Sequence, residues 1–149
     1  SPNGKYVAAG LYNGNIAVWD WINISESPVI TLETNNRSVK SISYSSDGRY
    51  IAAGSLGGNV TIWDMVGQAE KPPLIFKTGS PVNTVSFSPD DKKLAAGLSG
   101  GEVIIWDMGN ESHRTFDADS SIYSVAFNPI EQKIAGGSRD GQLMIWNIV

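Results

Sequence analysis

A tryptophan followed by Asp or Asn recurs four times along this chain, and it constrains the fold more than any other feature. Successive tryptophans are 44, 43 and 40 residues apart. Each ends a short run of alternating apolar residues, which is the pattern of a half-buried β-strand. Self-similarity at a period of about forty residues is typical of a protein built from one repeated supersecondary unit. The four residues are Trp19, Trp63, Trp106 and Trp146.

A second strand, rich in small residues, precedes each tryptophan run. Its Ala and Gly residues leave space for a neighbouring sheet, so we expect adjacent units to approach closely there. The four runs are YVAAG, YIAAG, KLAAG and KIAGG.

An earlier strand in three of the units has an irregular apolar pattern. In the second unit the apolar residues are Val39, Ile42 and Tyr44, so the spacing is three residues and then two. The same spacing recurs within Val82–Phe87 and Ile122–Phe127. Because strict alternation would give a spacing of two throughout, we predict one β-bulge in each of these strands.

A weaker fourth strand is predicted near residues 29–32, 74–77 and 113–116. The total is then fourteen strands, grouped as three, four, four and three. No segment has helical periodicity, which excludes alternating β-α-β units. A β-sandwich is the alternative all-β fold, but sandwiches do not repeat a tryptophan at this interval.

Four copies of strand, turn and tryptophan in the same order resemble the WD-repeat family over essentially the whole chain. The resemblance implies a β-propeller, whose blades are four-stranded antiparallel sheets stacked radially around a channel. We expect residues 1–149 to be one partial propeller domain of about three and a half blades, with units near 1–34, 35–77, 78–117 and 118–149. We expect it to be part of a larger closed propeller. The alternative is that copies associate through their open blade edges.

The family often builds a hydrogen-bonded tetrad in each blade from a Gly-His pair, a Ser or Thr, a turn Asp and the Trp. Aligned on the first apolar residue of each innermost strand, the His position is held by Asn35, Thr78 and Ala118. Only the last unit has the turn Asp, as Asp140. No unit has the complete set. We therefore expect the four repeated tryptophans to be structural and apolar packing between sheets to supply most of the stability.

One tryptophan falls outside the repeat. Trp21 occupies the place that Met65 and Met108 hold in later units. We expect it to pack in the loop that follows its strand, or else to make a contact on the side surface.

Composition excludes several classes of function. The net charge is −4, and the chain lacks the clustered Lys and Arg of a nucleic-acid surface. It has no cysteine and no apolar stretch near the ~18 residues that span a bilayer. We expect no nucleic-acid or membrane partner and a cytoplasmic location, with an upstream targeting segment left open because the chain begins at Ser1.

Catalytic chemistry has little support in the sequence. The single histidine, His113, has no neighbouring cluster of metal ligands, and we expect it to be an exposed strand or loop residue. The glycine-rich turns at 55–59 and 98–102 lack the Lys-Ser/Thr of a phosphate loop and read as hairpin turns with positive-φ glycines. We expect no catalytic, cofactor or metal site.

Binding is better supported, since propellers present rigid loops on one face. The resemblance places the partner-contact positions on nine loop residues. They are Tyr12, Asn36, Ser38, Leu56, Pro81, Ser99, Asp119, Ser121 and Arg139. Tyr12 and Arg139 stand out, because aromatic and Arg side chains dominate interface energetics.

The sequence therefore predicts a non-catalytic scaffold within a larger protein, which binds other proteins or peptides. The stretch from Ser88 to Asp107 also resembles the WD-repeat tails of bacterial signalling ATPases. That second resemblance makes a ligand-sensing regulatory propeller the main alternative. An enzyme on a propeller scaffold is the third hypothesis.

Overall fold

The computed structural model describes residues 1–34, 37–66 and 72–148. Within these ranges it has fourteen β-strands and no helix, which confirms the all-β prediction. The strands are β1 (Tyr6–Gly10), β2 (Asn15–Asp20), β3 (Ile30–Glu33), β4 (Val39–Tyr44), β5 (Tyr50–Ser55), β6 (Asn59–Asp64), β7 (Leu74–Lys77), β8 (Val82–Phe87), β9 (Lys93–Leu98), β10 (Glu102–Asp107), β11 (His113–Asp117), β12 (Ile122–Phe127), β13 (Lys133–Ser138) and β14 (Leu143–Asn147).

These strands form four antiparallel sheets whose spatial order follows the chain. We call them blade 1 (β1–β3), blade 2 (β4–β7), blade 3 (β8–β11) and blade 4 (β12–β14). The grouping into three, four, four and three strands is the predicted one. The weak outer strands β3, β7 and β11 lie within one residue of their predicted positions.

The predicted β-bulges are present in all three innermost strands. The pairing of β4 with β5 shifts between Val39 and Ser41, and the pairing of β8 with β9 shifts between Val82 and Thr84. The pairing of β12 with β13 shifts in the same place. The extra residue in each strand restores the apolar positions to one face, as the spacing of three and then two requires.

The core lies between the blades, so each apolar cluster is shared by two consecutive sheets. Blade 3 contributes Trp106 to the cluster it shares with blade 2, where its ring stacks on Phe76 with centroids 4.9 Å apart. Trp146 of blade 4 contacts Phe116 of blade 3 with centroids 5.9 Å apart, but there the two ring planes are tilted by 40°. Each of these tryptophans therefore faces the preceding blade.

The burial of the repeated tryptophans follows from this arrangement. Trp63 and Trp106 are buried, and Trp146 is half-buried against blade 3. Trp19 is also half-buried, because its side of blade 1 is covered by no described sheet. Trp21 is 62% exposed. The expectation that it packs in its loop is therefore wrong, and the residue lies on the surface.

Small residues on the second strand of each blade allow the close approach that the sequence predicted. A Cβ added to Gly97 of β9 would lie inside 3.0 Å of the Ile122 side chain of blade 4, a separation that real Cβ atoms do not show. Gly10 has the same relation to Val39 of blade 2. Adjacent blades thus interlock through a glycine and a β-branched residue.

Strand pairing corrects one alignment made from the sequence. Asn15, Asn59 and Glu102 pair with Glu33, Lys77 and Asp117, respectively. The next residue in each blade is therefore Thr34, Thr78 or Ala118. Thr34, and not Asn35, holds the position assigned to the family's His. The alignment failed because the link from β3 to Val39 is one residue longer than the later links; Asn35 itself lies outside the described residues.

Threonine at this position closes the hairpin loop beside it. The Thr34 hydroxyl donates to the Gly14 carbonyl at 2.5 Å, and the Thr78 hydroxyl donates to the Gly58 carbonyl at 2.9 Å. Gly58 and Gly101 have φ values of 76° and 101°, which confirms the positive-φ turns predicted for residues 55–59 and 98–102, and Gly14 in the hairpin of blade 1 has a φ of 90°.

Candidate functional site

The predicted partner-contact positions that the structure describes lie on one end of the blades, which we call the top face. It consists of the loops within the hairpins β1–β2, β5–β6, β9–β10 and β13–β14, and of the links between blades. In blades 2, 3 and 4, an equivalent backbone hydrogen bond of 2.8–3.0 Å joins the hairpin loop to the link that precedes the blade. The bonds run from the amide of Leu56 to the carbonyl of Ser38, from Ser99 to Pro81, and from Arg139 to Ser121.

Tyr12 has the equivalent hairpin position in blade 1 and is strongly exposed. Its side chain is 90% exposed. The preceding residue is anchored, since the Leu11 carbonyl accepts a hydrogen bond of 3.0 Å from the Val39 amide of blade 2. The aromatic ring is thus presented to solvent from a fixed backbone.

Two predicted contact residues use their hydroxyls within the protein. Ser121 donates to the carbonyl of Ser99 at 2.6 Å, and Ser99 donates to Oδ1 of Asn83 at 3.1 Å. Asn83 in turn donates from Nδ2 to the carbonyl of Ile122 at 2.9 Å. Ser99 and Ser121 therefore hold the loops of blades 3 and 4 together, and only their remaining surface is free for a partner.

The other predicted positions differ in accessibility. Leu56, Asp119 and Arg139 are exposed, whereas Ser38 and Pro81 are half-buried. Asn36 lies outside the described residues. The exposed members of the predicted set thus offer one aromatic ring, one aliphatic side chain and one charge of each sign.

Sequence reasoning missed the bulge residues of the innermost strands. Tyr123 follows Ile122 at the bulge of β12 and is 57% exposed. Lys40 is exposed at the same place in β4, and Asn83 holds the β8 position. The irregular apolar spacing could have identified these residues, because a β-bulge changes the direction of the side chain of its extra residue.

Blade 4 retains part of the family's tetrad. The hydroxyl of Ser138 donates to the carboxylate of Asp140, and it accepts a hydrogen bond of 3.2 Å from the Gln142 amide. Asp140 is therefore held beside the hairpin, next to the exposed Arg139.

A separate cleft of about 250 Å³ lies on the outer side of blades 3 and 4. Lys93 and Asp107 line it, with Nζ and Oδ2 4.0 Å apart, and His113 is exposed at its edge. In the described ranges, no group of three or more His, Asp or Glu side chains is arranged to hold a metal ion. Nor do those residues include a helix with the length and apolar character needed to cross a membrane.

The family profile described as WD domain, G-beta repeat matches the chain four times. The matches span residues 1–20, 26–64, 71–107 and 110–147. They cover well over half of the chain, which therefore belongs to the WD-repeat family, and its four sheets are the blades of a partial WD-repeat propeller. The comparison with curated proteins produced no match. WD-repeat domains generally mediate protein–protein interactions and are typically non-catalytic.

Proposed function

We propose that this chain is a non-catalytic scaffold, within a larger protein, that binds a protein or peptide segment across its top face. The observation that carries the proposal is the exposure of Tyr12 and Arg139 from equivalent hairpin positions at the two ends of the blade series. Between them, Leu56 supplies an apolar contact on blade 2.

The rigidity of the face favours binding. Backbone hydrogen bonds join each hairpin loop of blades 2–4 to the adjoining link, and the Ser121–Ser99–Asn83 chain connects blades 3 and 4. A surface that is ordered before association loses less conformational entropy when a partner binds.

The chemistry of the face indicates the type of partner. Tyr and Arg side chains supply most of the binding energy of protein interfaces, and a neighbouring aliphatic residue excludes water from them. Asp119, in the link before blade 4, and Arg139, in the β13–β14 hairpin of that blade, offer opposite charges. This combination fits a peptide of mixed apolar and charged character better than a uniformly charged ligand.

A selection from a random peptide library displayed on phage tests the proposal. The immobilised chain should enrich peptides whose binding falls at least tenfold when Tyr12→Ala and Arg139→Ala are combined. The matched control is Ile130→Ala, which removes a 92% exposed apolar side chain from the β12–β13 turn at the opposite end of blade 4. Thermal unfolding should be nearly the same for both variants and the parent.

Two results would refute the proposal. One is enrichment of peptides that bind the double variant as well as they bind the parent. The other is the absence of any enriched peptide while a display control with a known binder succeeds.

A further inference from the structure

The hairpin loop of blade 1 contains an Asn-Gly step, Asn13-Gly14, next to the exposed Tyr12. The side chain of Asn13 turns back on its own backbone, where Oδ1 accepts a hydrogen bond of 3.1 Å from the Asn15 amide. Such an Asx turn keeps the side-chain amide carbon beside the peptide bond that follows it. The Asn15 amide also polarises that carbon, because it donates to the oxygen on which a nucleophilic attack places charge. The amide carbon of Asn13 is therefore both positioned and activated for attack.

The position that Asn13 holds is exposed in each of the four blades. Its counterparts, six residues before the repeated tryptophan, are Gly57, Gly100 and Asp140, and all of them are exposed. Blades 2 and 3 have a described blade on either side. The exposure is therefore a property of the hairpin tip and does not depend on where the series of blades begins.

Gly14 supplies a nucleophile, its backbone nitrogen, that no side chain shields. Glycine has no Cβ to obstruct the approach of the Asn13 side chain, and here it has a φ of 90°. The Gly14 backbone is buried: its carbonyl accepts from the Thr34 hydroxyl at 2.5 Å, and its amide donates to the Leu11 carbonyl at 3.1 Å. The exposed Asn13 side chain is therefore the part that moves. We expect the fold to slow the reaction relative to an unfolded chain, because the bond to Leu11 must open, but not to prevent it.

We propose that Asn13 is a site of spontaneous deamidation, with water as the only co-reactant. The Gly14 nitrogen forms a bond to Cγ of Asn13 and loses its proton, and the side-chain nitrogen leaves as ammonia. The attack is fast for an uncatalysed reaction because both groups belong to adjacent residues. Water then opens the cyclic imide at either of its two carbonyls. One opening leaves an aspartate at position 13, and the other leaves an isoaspartate, whose backbone runs through the former side chain.

The loop between β10 and β11 contains a matched turn that differs mainly in one side chain. Asn110 is exposed, and its Oδ1 accepts a hydrogen bond of 2.9 Å from the Ser112 amide. The next residue, Glu111, has a φ of 60°, and its amide donates to the Asp107 carbonyl at 2.9 Å. The arrangement of Asn13-Gly14 is thus repeated, but the Cβ and carboxylate of Glu111 obstruct its nitrogen. We expect Asn110 to deamidate much more slowly.

Deamidation adds one negative charge to the top face beside Tyr12. Blade 4 shows that the turn accommodates this charge, because Asp140 occupies the same position before Gly141, which has a φ of 85°. The Ser138 hydroxyl donates to that carboxylate, whereas blade 1 has Leu11 in the place of the serine. An aspartate at position 13 therefore keeps the turn and presents its charge to solvent, and an isoaspartate lengthens the turn by one backbone atom. The reaction does not depend on the proposed binding function.

Timed incubation of the whole folded chain at mildly alkaline pH, followed by tryptic digestion and tandem mass spectrometry, tests the proposal. Trypsin releases residues 6–37 and 94–114, so Asn13 and Asn110 are measured in separate peptides. The other Asn-Gly step, Asn3-Gly4, is released in residues 1–5 and does not contribute to either signal. Asn13 should gain one mass unit at least tenfold faster than Asn110. An isoaspartyl-specific methyltransferase should modify part of the product, because the imide opens in both directions.

Two variants should change the reaction in opposite directions. Glu111→Gly removes the obstructing side chain from the matched turn and adopts the positive φ without strain, so the conversion of Asn110 should rise at least tenfold. Asn13→Gln lengthens the side chain by one methylene, so the ring that must close is larger and the conversion at position 13 should nearly stop. Circular dichroism verifies that both variants are folded.

Three results would overturn the proposal. The first is an Asn13 that stays intact in the folded chain but converts in urea, since the fold would then block the attack. The second is equal conversion of Asn13 and Asn110 in the parent. The third is an aspartate product without any isoaspartate, which would indicate direct hydrolysis of the side chain without the imide.

Discussion

Val82 of blade 3 fills the space left by the missing side chain of Gly54 in blade 2. A Cβ added to Gly54 would lie inside 3.0 Å of Val82 Cγ1, and the Val85 side chain is also in contact range. Glycine at this position is therefore required by the approach of the next blade, and not by its own backbone angles.

Replacement of Gly54 by Ala should destabilise the chain by about 1–3 kcal/mol, because an added methyl group overpacks a close-packed interface. The combined change Gly54→Ala and Val82→Ala should lower the free energy of unfolding by less than the sum of the losses from the two single changes. Denaturant midpoints of the four proteins measure this coupling. The matched control is Gly137→Ala, which meets only the movable Ser124 hydroxyl and should cost much less. Equal losses at positions 54 and 137 would contradict the interlocking of blades.

Trp106 should be among the most costly residues to truncate. Its ring is buried and stacks on Phe76 with an angle of 4° between the planes. Trp106→Ala should lower the free energy of unfolding by about 3–5 kcal/mol, since it leaves a large cavity between blades 2 and 3. Trp21→Ala removes the same kind of side chain from the surface and should change stability by less than about 0.5 kcal/mol. Chemical unfolding followed by circular dichroism compares the two, and similar losses would refute the assigned packing.

The turns at the lower end of blades 2 and 3 should make stability depend on pH. The Ser88 hydroxyl donates to Asp90 at 2.7 Å and lowers the pKa of that carboxyl below its ordinary value of 3.8. Ser45 acts in the same way on the pKa of Asp47. A lowered pKa in the folded state means that the stabilisation is fully present above about pH 4 and is lost as the pH falls through the folded value.

Thermal unfolding of the parent and of a double Asp47→Asn and Asp90→Asn variant measures this effect. The parent should melt at the higher temperature near neutral pH, and the difference should shrink as the pH falls below 3.8 and through the lowered pKa values of the two carboxyls. A difference that is constant across the range would show that the charged forms of these carboxylates contribute nothing to the turns.

Asp91 should couple blade 3 to the turn of blade 2. Its carboxylate accepts hydrogen bonds from the amide and hydroxyl of Ser46, at 2.7 and 2.6 Å, and from the amide of Asp47 at 3.2 Å. Asp91 also has a φ of 57°, in the left-handed region that favours glycine. Asp91→Ala should therefore lower the free energy of unfolding by about 1 kcal/mol or more. Asp91→Gly should lower it by less, because glycine loses the same hydrogen bonds but adopts the positive φ without strain. Urea midpoints separate the two variants, and a Gly variant less stable than the Ala variant would contradict this account.

Much of the fold could be predicted from local patterns. Strand content and order follow from apolar alternation, and the β-bulges at Val39, Val82 and Ile122 follow from a spacing of three and then two. These features are set by which residues within one strand share a face, so a single segment is enough to read them.

The roles of individual top-face side chains were less predictable. Ser99 and Ser121 were expected to face a partner, but their hydroxyls bond within the protein, and Asn83 was missed. The position of the family's His was assigned to Asn35, one residue too late, because the link from β3 to Val39 is one residue longer than the later links. The bonds from Ser121 to Ser99 and from Asn83 to Ile122 form only when blades 3 and 4 stack, whereas the placement of Thr34 depends on the pairing of β2 with β3 within blade 1.

Ile105 and Ile145 show where the contribution of the sequence ends. Both are isoleucines in the same register of the third strand, directly before the repeated tryptophan, and the repeat by itself determines that placement. One is buried and the other is 64% exposed. Only the tertiary structure decides this difference, because burial of a sheet face requires a second face packed against it, and that partner is a property of the assembled blades and not of the strand.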